Sequence, residues 1–414
     1  MADTNRSAEN PNPETGEINL FTSDLAGCPQ PVYARLLQQQ CPVTRAAVTA
    51  SPVISRYEDV VWILRHPELF SSEMEMQMAL GTERPMIPQQ IDPPEQTRYR
   101  RLLDPHFSRR KMEALVPDIR QHASALIDKF VDRGECEFDR EFAVPLPCTA
   151  FLSLCGLPLG DLDLFLKLKD GIIRPQNVNP EAFAGLEMPE MIEKSKEIRA
   201  QSGHQIYEYF EHVIDDRQAQ PKDDLMGQLV HAEIDGEKLE RNEILDICFL
   251  LILAGLDTVT ATLGCNIAYL AANPEQRQRL VRNDELIPGA CEELLRWETP
   301  VAAVPRVAKQ DLEIGGFEIK AGELVTLLIG AANVDPRHFE DATGVDFERE
   351  RNLHLAFGAG PHRCLGSHLA RMELQVAMEE WHRRIPDYHI KPGETPRFSP
   401  GIREALYLPL EWEV

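Results

Sequence analysis

Residues Glu243 to Asn273 constrain the fold more than any other stretch. They form the longest helical candidate in the chain, and the first half is apolar on every side. A helix with no polar face has to be surrounded, so this one belongs at the centre of a largely helical protein. Its most apolar run, Ile247 to Leu256, is ten residues long and lies between Asp246 and Asp257. That is well under the ~20 residues needed to cross a bilayer. In the middle stands Ala254-Gly255-Leu256-Asp257-Thr258. Glycine costs up to ~1 kcal/mol relative to alanine inside a helix, and Asp and Thr in apolar surroundings need polar partners. Three such residues together predict a functional break. The plainer alternative is a kink in which the Thr258 hydroxyl bonds the carbonyl one turn back.

The second constraint is Phe357-Gly358-Ala359-Gly360-Pro361-His362-Arg363-Cys364-Leu365-Gly366. Cys364 sits in a glycine-rich loop, and a helical run from Ser367 to Leu374 starts just after it. A helix N-terminus lowers a thiol's pKa, and glycines let backbone N–H groups approach the sulfur. A thiolate held this way is a nucleophile or a metal ligand. Taken alone, Cys364 also fits an ordinary buried cysteine in a glycine turn. No second Cys or His stands beside it at zinc spacing, and a single protein thiolate suits a haem iron, whose other ligands come from the porphyrin. The spacing Phe-Gly-x-Gly-x-His-x-Cys-Leu-Gly resembles the haem-binding loop of the cytochromes P450.

Three more motifs stand in that family's order. Asp92-Pro93-Pro94-Glu95-Gln96-Thr97-Arg98-Tyr99-Arg100-Arg101 opens a helix, with Asp and Pro-Pro suited to a cap and first turn. It resembles the family's Asp-Pro-Pro-Glu-His-Thr-Arg-x-Arg-Arg motif, with Gln96 where the family has His. Ala254 to Thr258 resembles its Ala-Gly-x-Asp/Glu-Thr motif. Glu293-Leu294-Leu295-Arg296 matches its Glu-x-x-Arg, a structural pair on one helix face, with Arg349 or Arg351 as third member.

The resemblance covers about residues 30–414 and implies a mainly α fold with small β-sheets, the P450 triangular helical prism. Residues 18–414 would be one domain behind a disordered lead-in at 1–17. The implied cofactor is haem b, with Cys364 as axial metal ligand. Gln96, Arg100, Arg306 and His362 would hold the propionates, and Phe357 and Gly366 would complete the haem loop. Thr258 and Asp257 would deliver protons for cleavage of O2. The segment Thr299 to Val307 would run beside the haem. Val301, Ala302, Ala303 and Val304, with Met86, Leu250 and Ala254, would then line the substrate pocket. The implied activity is a monooxygenase that puts one atom of O2 into a hydrophobic small molecule.

Net charge is −24 over 414 residues, which disfavours nucleic acid and anionic membranes. The nine cysteines are scattered, odd in number and without C-x-x-C, as expected of reduced thiols in the cytoplasm. The N-terminus has no apolar core of a signal peptide or anchor, and a monomer is expected. Basic residues nevertheless crowd the segments expected on the cysteine side of the haem: Arg98, Arg100, Arg101, Arg109, Arg110, Lys111, Arg363 and Arg371. A positive patch on an acidic protein suits docking of an acidic iron–sulfur ferredoxin.

Elsewhere the pattern predicts helices near 32–39, 57–65, 119–131, 146–155 and 192–215, and loops at 132–141 and 171–190. The second loop stands where the family keeps a mobile lid. Short strands are expected at 312–320, 323–329, 388–390 and 406–410. Met74, Met76, Met78 and Met86 suit either core filling or an adaptable pocket. Gln96 and the Ile385-Pro386-Asp387-Tyr388 tail resemble terpene-hydroxylating members, which favours a terpenoid or ionone-like substrate. Fatty acid, steroid and polyketide hydroxylases are the alternatives, together with a haem-thiolate protein that binds gas without turnover.

Overall fold

The computed structural model describes residues 10–12, 16–74, 80–399 and 402–414. Its centre is one helix, Arg241–Ala272, unbroken over 32 residues. Glu240 and Glu243 form a capping box at its start, satisfying the first free N–H groups. No break occurs at Gly255. A Cβ there would lie 2.6 Å from the Phe151 ring, so the glycine serves close packing of helix Pro145–Cys155. By length and composition the central helix could cross a membrane, with mean hydropathy 2.0 over its most apolar window, but 78% of that window is buried in the protein. The all-round apolar sequence is therefore consumed by neighbouring helices.

Three of those neighbours position the functional residues. Leu162–Ile173 and the long Met188–Ala219 pack on each other and across the central helix. Ser367–Arg384 follows the cysteine loop and packs on Val116–Ile127 and Ile287–Glu298. Trp381, fully buried, anchors that side with Phe138 at 4.7 Å in an edge-on contact, a favoured aromatic geometry.

The largest sheet has five strands, in the order Val43–Arg45, Pro52–Ile54, Leu324–Leu327, Val304–Ala308 and Phe70–Ser71. Val304 pairs with Leu327 and Arg306 with Val325. Of the stretch expected beside the haem, only Val304 onward is strand, paired along one edge with Leu324–Leu327 and on the other, at Val307 and Ala308, with Phe70–Ser71.

Several expectations need correction. The lead-in is not loose where it is described: Asn10 is buried, exchanges two hydrogen bonds with the Asn19 backbone, and its carbonyl accepts from Arg35 at 2.8 Å. The expected loop at 132–141 contains a strand, Glu135–Glu137, and the start of a π-helical turn, Asp139–Ala143. That strand forms because Pro409–Glu411 pairs with it. Within 171–190 the helix Leu162–Ile173 ends, a short helix Pro175–Val178 and a 3-10 turn Pro180–Phe183 follow, and the long helix begins at Met188. Asp92 does not cap its helix. It accepts from the Ser71 hydroxyl, the Ser72 N–H and Lys309 at 2.7–2.8 Å, tying the sheet edge to the helix start.

Candidate functional site

The cysteine loop is shaped by two glycines in the left-handed region, Gly358 at φ 67° and Gly360 at φ 69°. At Gly360 a Cβ would lie 2.0 Å from the Leu64 carbonyl oxygen, so no other residue fits. The Cys364 N–H donates to the Phe357 carbonyl at 2.8 Å, and the Gly358 N–H to Leu355 at 2.7 Å. Gly366 is the N-cap residue of the following helix. The Cys364 surface is accessible although protein walls it on most sides. It therefore opens into a recess, not onto the outer face. Burial pushes its pKa above the usual thiol range, while the Gly366 N–H, Arg100, Arg363 and Arg371 pull the other way.

Two pairs of side chains surround this loop. Gln96, fully buried, donates from Nε2 to the Pro361 carbonyl at 2.7 Å. Arg100 donates to the Arg363 carbonyl at 2.8 Å and pairs with Asp104 at 2.9 Å. These two side chains brace the loop's own carbonyls. Arg306 and His362 have donor capacity to spare. Arg306 makes one hydrogen bond among the described residues, to the neighbouring Pro305 carbonyl at 2.7 Å. Burial lowers its pKa to about 10. His362 Nε2 is buried with no partner. Burial, then the nearby Arg306 charge, lower the His362 pKa to about 4. Among the described residues no carboxylate lies within ion-pair distance of Arg306, and Asp92 acts on both groups only from farther away.

On the central helix, Ala254 is exposed and Leu250 and Thr258 are half-buried, while Ile252, Leu256 and Asp257 are buried. One stripe of an otherwise covered helix thus faces open space. The Thr258 hydroxyl donates to the Ala254 carbonyl at 3.0 Å, the back-bond of the plainer reading. Asp257 points away from that stripe. It accepts from Lys169 at 3.1 Å and from Arg174 at 2.9 and 3.0 Å. Burial alone would raise its pKa, but the two cations reverse that and hold it below the usual carboxylate range. Arg174 also contacts Glu404.

A fourth motif residue, Glu293, is fully buried beside Arg296. It takes Arg296 at 2.7 Å, Arg349 at 3.0 Å and Asn352 at 3.0 Å. Arg296 in turn donates to the carbonyls of Asn333, Ala342 and Gly344. Arg349, not Arg351, is the third member.

The family profile "Cytochrome P450" matches residues 44–384. This chain is a member of the cytochrome P450 family. The mycinamicin IV hydroxylase/epoxidase of Micromonospora griseorubida is 36% identical over 394 residues, covering 91% of this chain and 94% of that protein. A steroid C26-monooxygenase of Mycobacterium tuberculosis is 34% identical over 340 residues, covering 81% of this chain and 87% of that protein. The crystal structure of CYP109E1 from Bacillus megaterium with testosterone superposes with a TM-score of 0.85 at 28% identity, over 95% of this chain and all of that one. The P450 fold and a monooxygenase activity follow for this chain, and with them haem b.

The residues present fit that group. A recessed thiol stands at a helix start, and among the described residues a buried imidazole nitrogen without a hydrogen-bond partner lies near a cation that forms no close ion pair. Haem carries an iron for the first and propionates for the second. Of the expected pocket residues, Ala254, Leu250 and the half-buried Val301 to Val304 remain accessible. Met86 does not: it is buried in the core with Tyr99 and Phe151. Met76 and Met78 lie outside the described residues. Phe357 is half-buried, with the Arg371 guanidinium 4.4 Å from its ring centre. Sequence reasoning missed Lys169 and Arg174. Their only signal was a pair of basic residues, five apart, flanking the apolar end of a helix.

On the cysteine side, four of the eight basic residues are matched: Arg98 by Glu237, Arg100 by Asp104, Arg109 by Glu113 and Arg371 by Glu292. Among the described residues Arg101, Arg110, Lys111 and Arg363 have no carboxylate within ion-pair distance, and all four are exposed.

Proposed function

We propose that this P450 hydroxylates an alicyclic terpenoid, ionone-like in shape, with electrons from an iron–sulfur ferredoxin. The single observation behind the site assignment is the accessible Cys364 thiol in the same loop as the unpartnered His362 imidazole. Cys364 would hold the iron as thiolate, since a coordinating metal deprotonates a thiol outright. Bound haem supplies the reductive activation of O2 and transfer of one oxygen atom. Arg306 and His362 take the propionates, while Gln96 and Arg100 keep the loop carbonyls in place. Thr258 presents its hydroxyl at the accessible stripe, and Asp257, an ionised carboxylate on the opposite face, would accept a proton and pass it on once its two cations release it. Leu250, Ala254 and Val301 to Val304 form the wall against the substrate. Their small, purely apolar side chains support a bulky, poorly hydrogen-bonded ligand.

A second reading, a steroid or macrolide, draws support from the relatives named for those substrates and from the testosterone complex. Arg101, Arg110, Lys111 and Arg363 form the ferredoxin surface in this reading. The enzyme acts as a cytoplasmic monomer.

The test is the absorption spectrum of the reduced protein with carbon monoxide. It will carry the long-wavelength thiolate band, and Cys364→His will abolish that band in folded, haem-loaded protein. An unchanged spectrum in the variant overturns the assignment. Spin-state titrations with β-ionone and with testosterone then separate the two substrate readings. A response to testosterone alone favours the steroid.

A further inference from the structure

A cleft of about 910 Å³ lies on the far side of the Asp257 clamp, bounded by helix Leu162–Ile173, the π-helical turn and the hairpin of strands 397–398 and 405–407. Its lining includes both clamp cations, Lys169 and Arg174, together with Asp139, Asp170 and Glu404. Asp257 itself is fully buried behind them. With Asp257, five carboxyl groups, at 137, 139, 170, 257 and 404, thus face four cations, at 140, 169, 174 and 397. Of the cations, Arg140 and Arg397 are exposed at the rim. Such a set is one negative charge in excess if every acid is ionised, in surroundings of low dielectric. One resident proton removes that excess.

Asp139 is the place for it. Among the described residues the buried Asp139 Oδ1 atom has no hydrogen-bond partner, whereas Asp257 has three donors. Burial, with Glu137 adding to it, raises the Asp139 pKa to about 7 against the pull of Lys169 and Arg174. The groups around it are Glu137 from the preceding strand, Lys169, Asp170 and Arg174 from the clamp helix, and Asp257 and Cys265 from the central helix. Glu404 and Arg397 come from the hairpin. Helices Val116–Ile127 and Pro145–Cys155 meet this turn through apolar side chains such as Ala123 and Leu146.

We propose that Asp139 is the proton-loading residue for Asp257, the two acids exchanging one proton against the shared cations Lys169 and Arg174. In the arrangement observed, the cations lie on Asp257, and under this proposal the proton is on Asp139. When the cations turn to Asp139, its proton leaves through cleft water and Asp257 takes one up. No net charge moves into the protein, and no atom is oxidised or reduced. Solvent in the cleft then reloads Asp139. The exchange rests on the reading that Asp257 and Thr258 supply protons to the reaction.

Infrared titration of the haem-loaded protein tests it without a substrate. The wild type will show one protonated carboxyl band that disappears as pH rises through about 7. Asp139→Asn will lack that band. Asp257→Asn will shift it to lower pH, because both cations are then free to pair with Asp139. A wild-type protein with no carboxyl titrating near pH 7 overturns the proposal, as does a band indifferent to Asp257→Asn. With β-ionone, a ferredoxin, its reductase and NADPH, Asp139→Asn will lower product formed per electron about ten-fold, less than the roughly 10²–10⁴-fold of a group that transfers the proton itself, because Asp139 acts through Asp257. Asp139→Glu will restore most of it. If Asp257→Asn itself leaves coupling intact, the Asp257 reading has failed. If it impairs coupling while Asp139→Asn does not, only the loading role has failed.

Discussion

Replacing Glu293 by Gln removes one charge and almost no volume, so it isolates what the carboxylate does. Glu293 Oε1 accepts from Arg296, from Arg349 and from the Asp346 N–H at 2.7–3.2 Å. Its Oε2 accepts from Arg296, Arg349 and Asn352 at 2.9–3.0 Å. Burial would raise the Glu293 pKa, yet the two arginines pull it below the usual range, so the group is ionised in the fold. A glutamine amide turned to either side faces donors with donors. It also leaves two guanidinium groups, one fully buried, without a counter-charge. Removing one partner of a buried ion pair costs about 3–5 kcal/mol, against about 5–15 kcal/mol for a whole domain. With a urea dependence of about 3 kcal/mol/M, the unfolding midpoint falls by about 1 M. Urea titration of the Glu293→Gln protein, read by fluorescence with and without haem, measures this. A loss below about 1 kcal/mol would refute the argument that both arginines depend on this carboxylate.

Two further outcomes follow from the cysteine side. Gly360→Ala places a methyl against the Leu64 carbonyl in a left-handed backbone. The conformation alone costs about 1–2 kcal/mol, so haem retention will drop; unchanged retention would mean the loop relaxes freely. Charge reversal of Arg101 and Arg110, which have no carboxylate partner, will slow reduction by a ferredoxin and flatten its salt dependence. Reversal of the already paired Arg109 will do less, and equal effects would remove the case for a local docking patch.

The central helix was legible because its constraint is local: an all-round apolar run can only be buried, and the expected 243–273 lies close to Arg241–Ala272. The cysteine loop was legible for the same reason, since its glycines and thiol sit within ten residues. What could not be read were partners distant in the chain. Asp257 looked like an acid in need of neighbours, but Lys169 and Arg174 stand 88 and 83 residues away. Gln96 is expected on a propionate from its motif alone, and no local signal shows that its amide also reaches Pro361, 265 residues on. Strand Glu135–Glu137 has no local signal at all, being made by the last strand of the chain. Met86 reads equally as filler or pocket, and only packing decides for filler.

Residues Val301 to Val304 lead directly into a strand that is bonded on one side to Leu324–Leu327 and on the other to Phe70–Ser71. Under the proposed assignment of 301–304 to the substrate wall, scaffold and wall are one continuous piece of backbone, fixed from residue 304 onward by main-chain bonds that no side chain supplies. Side chains at 301–303 can be exchanged for larger or smaller ones while the ladder stays in register. Selection acting on diet, toxin or signal can reshape what this wall admits through a handful of codons, leaving the folding of the other four hundred residues untouched.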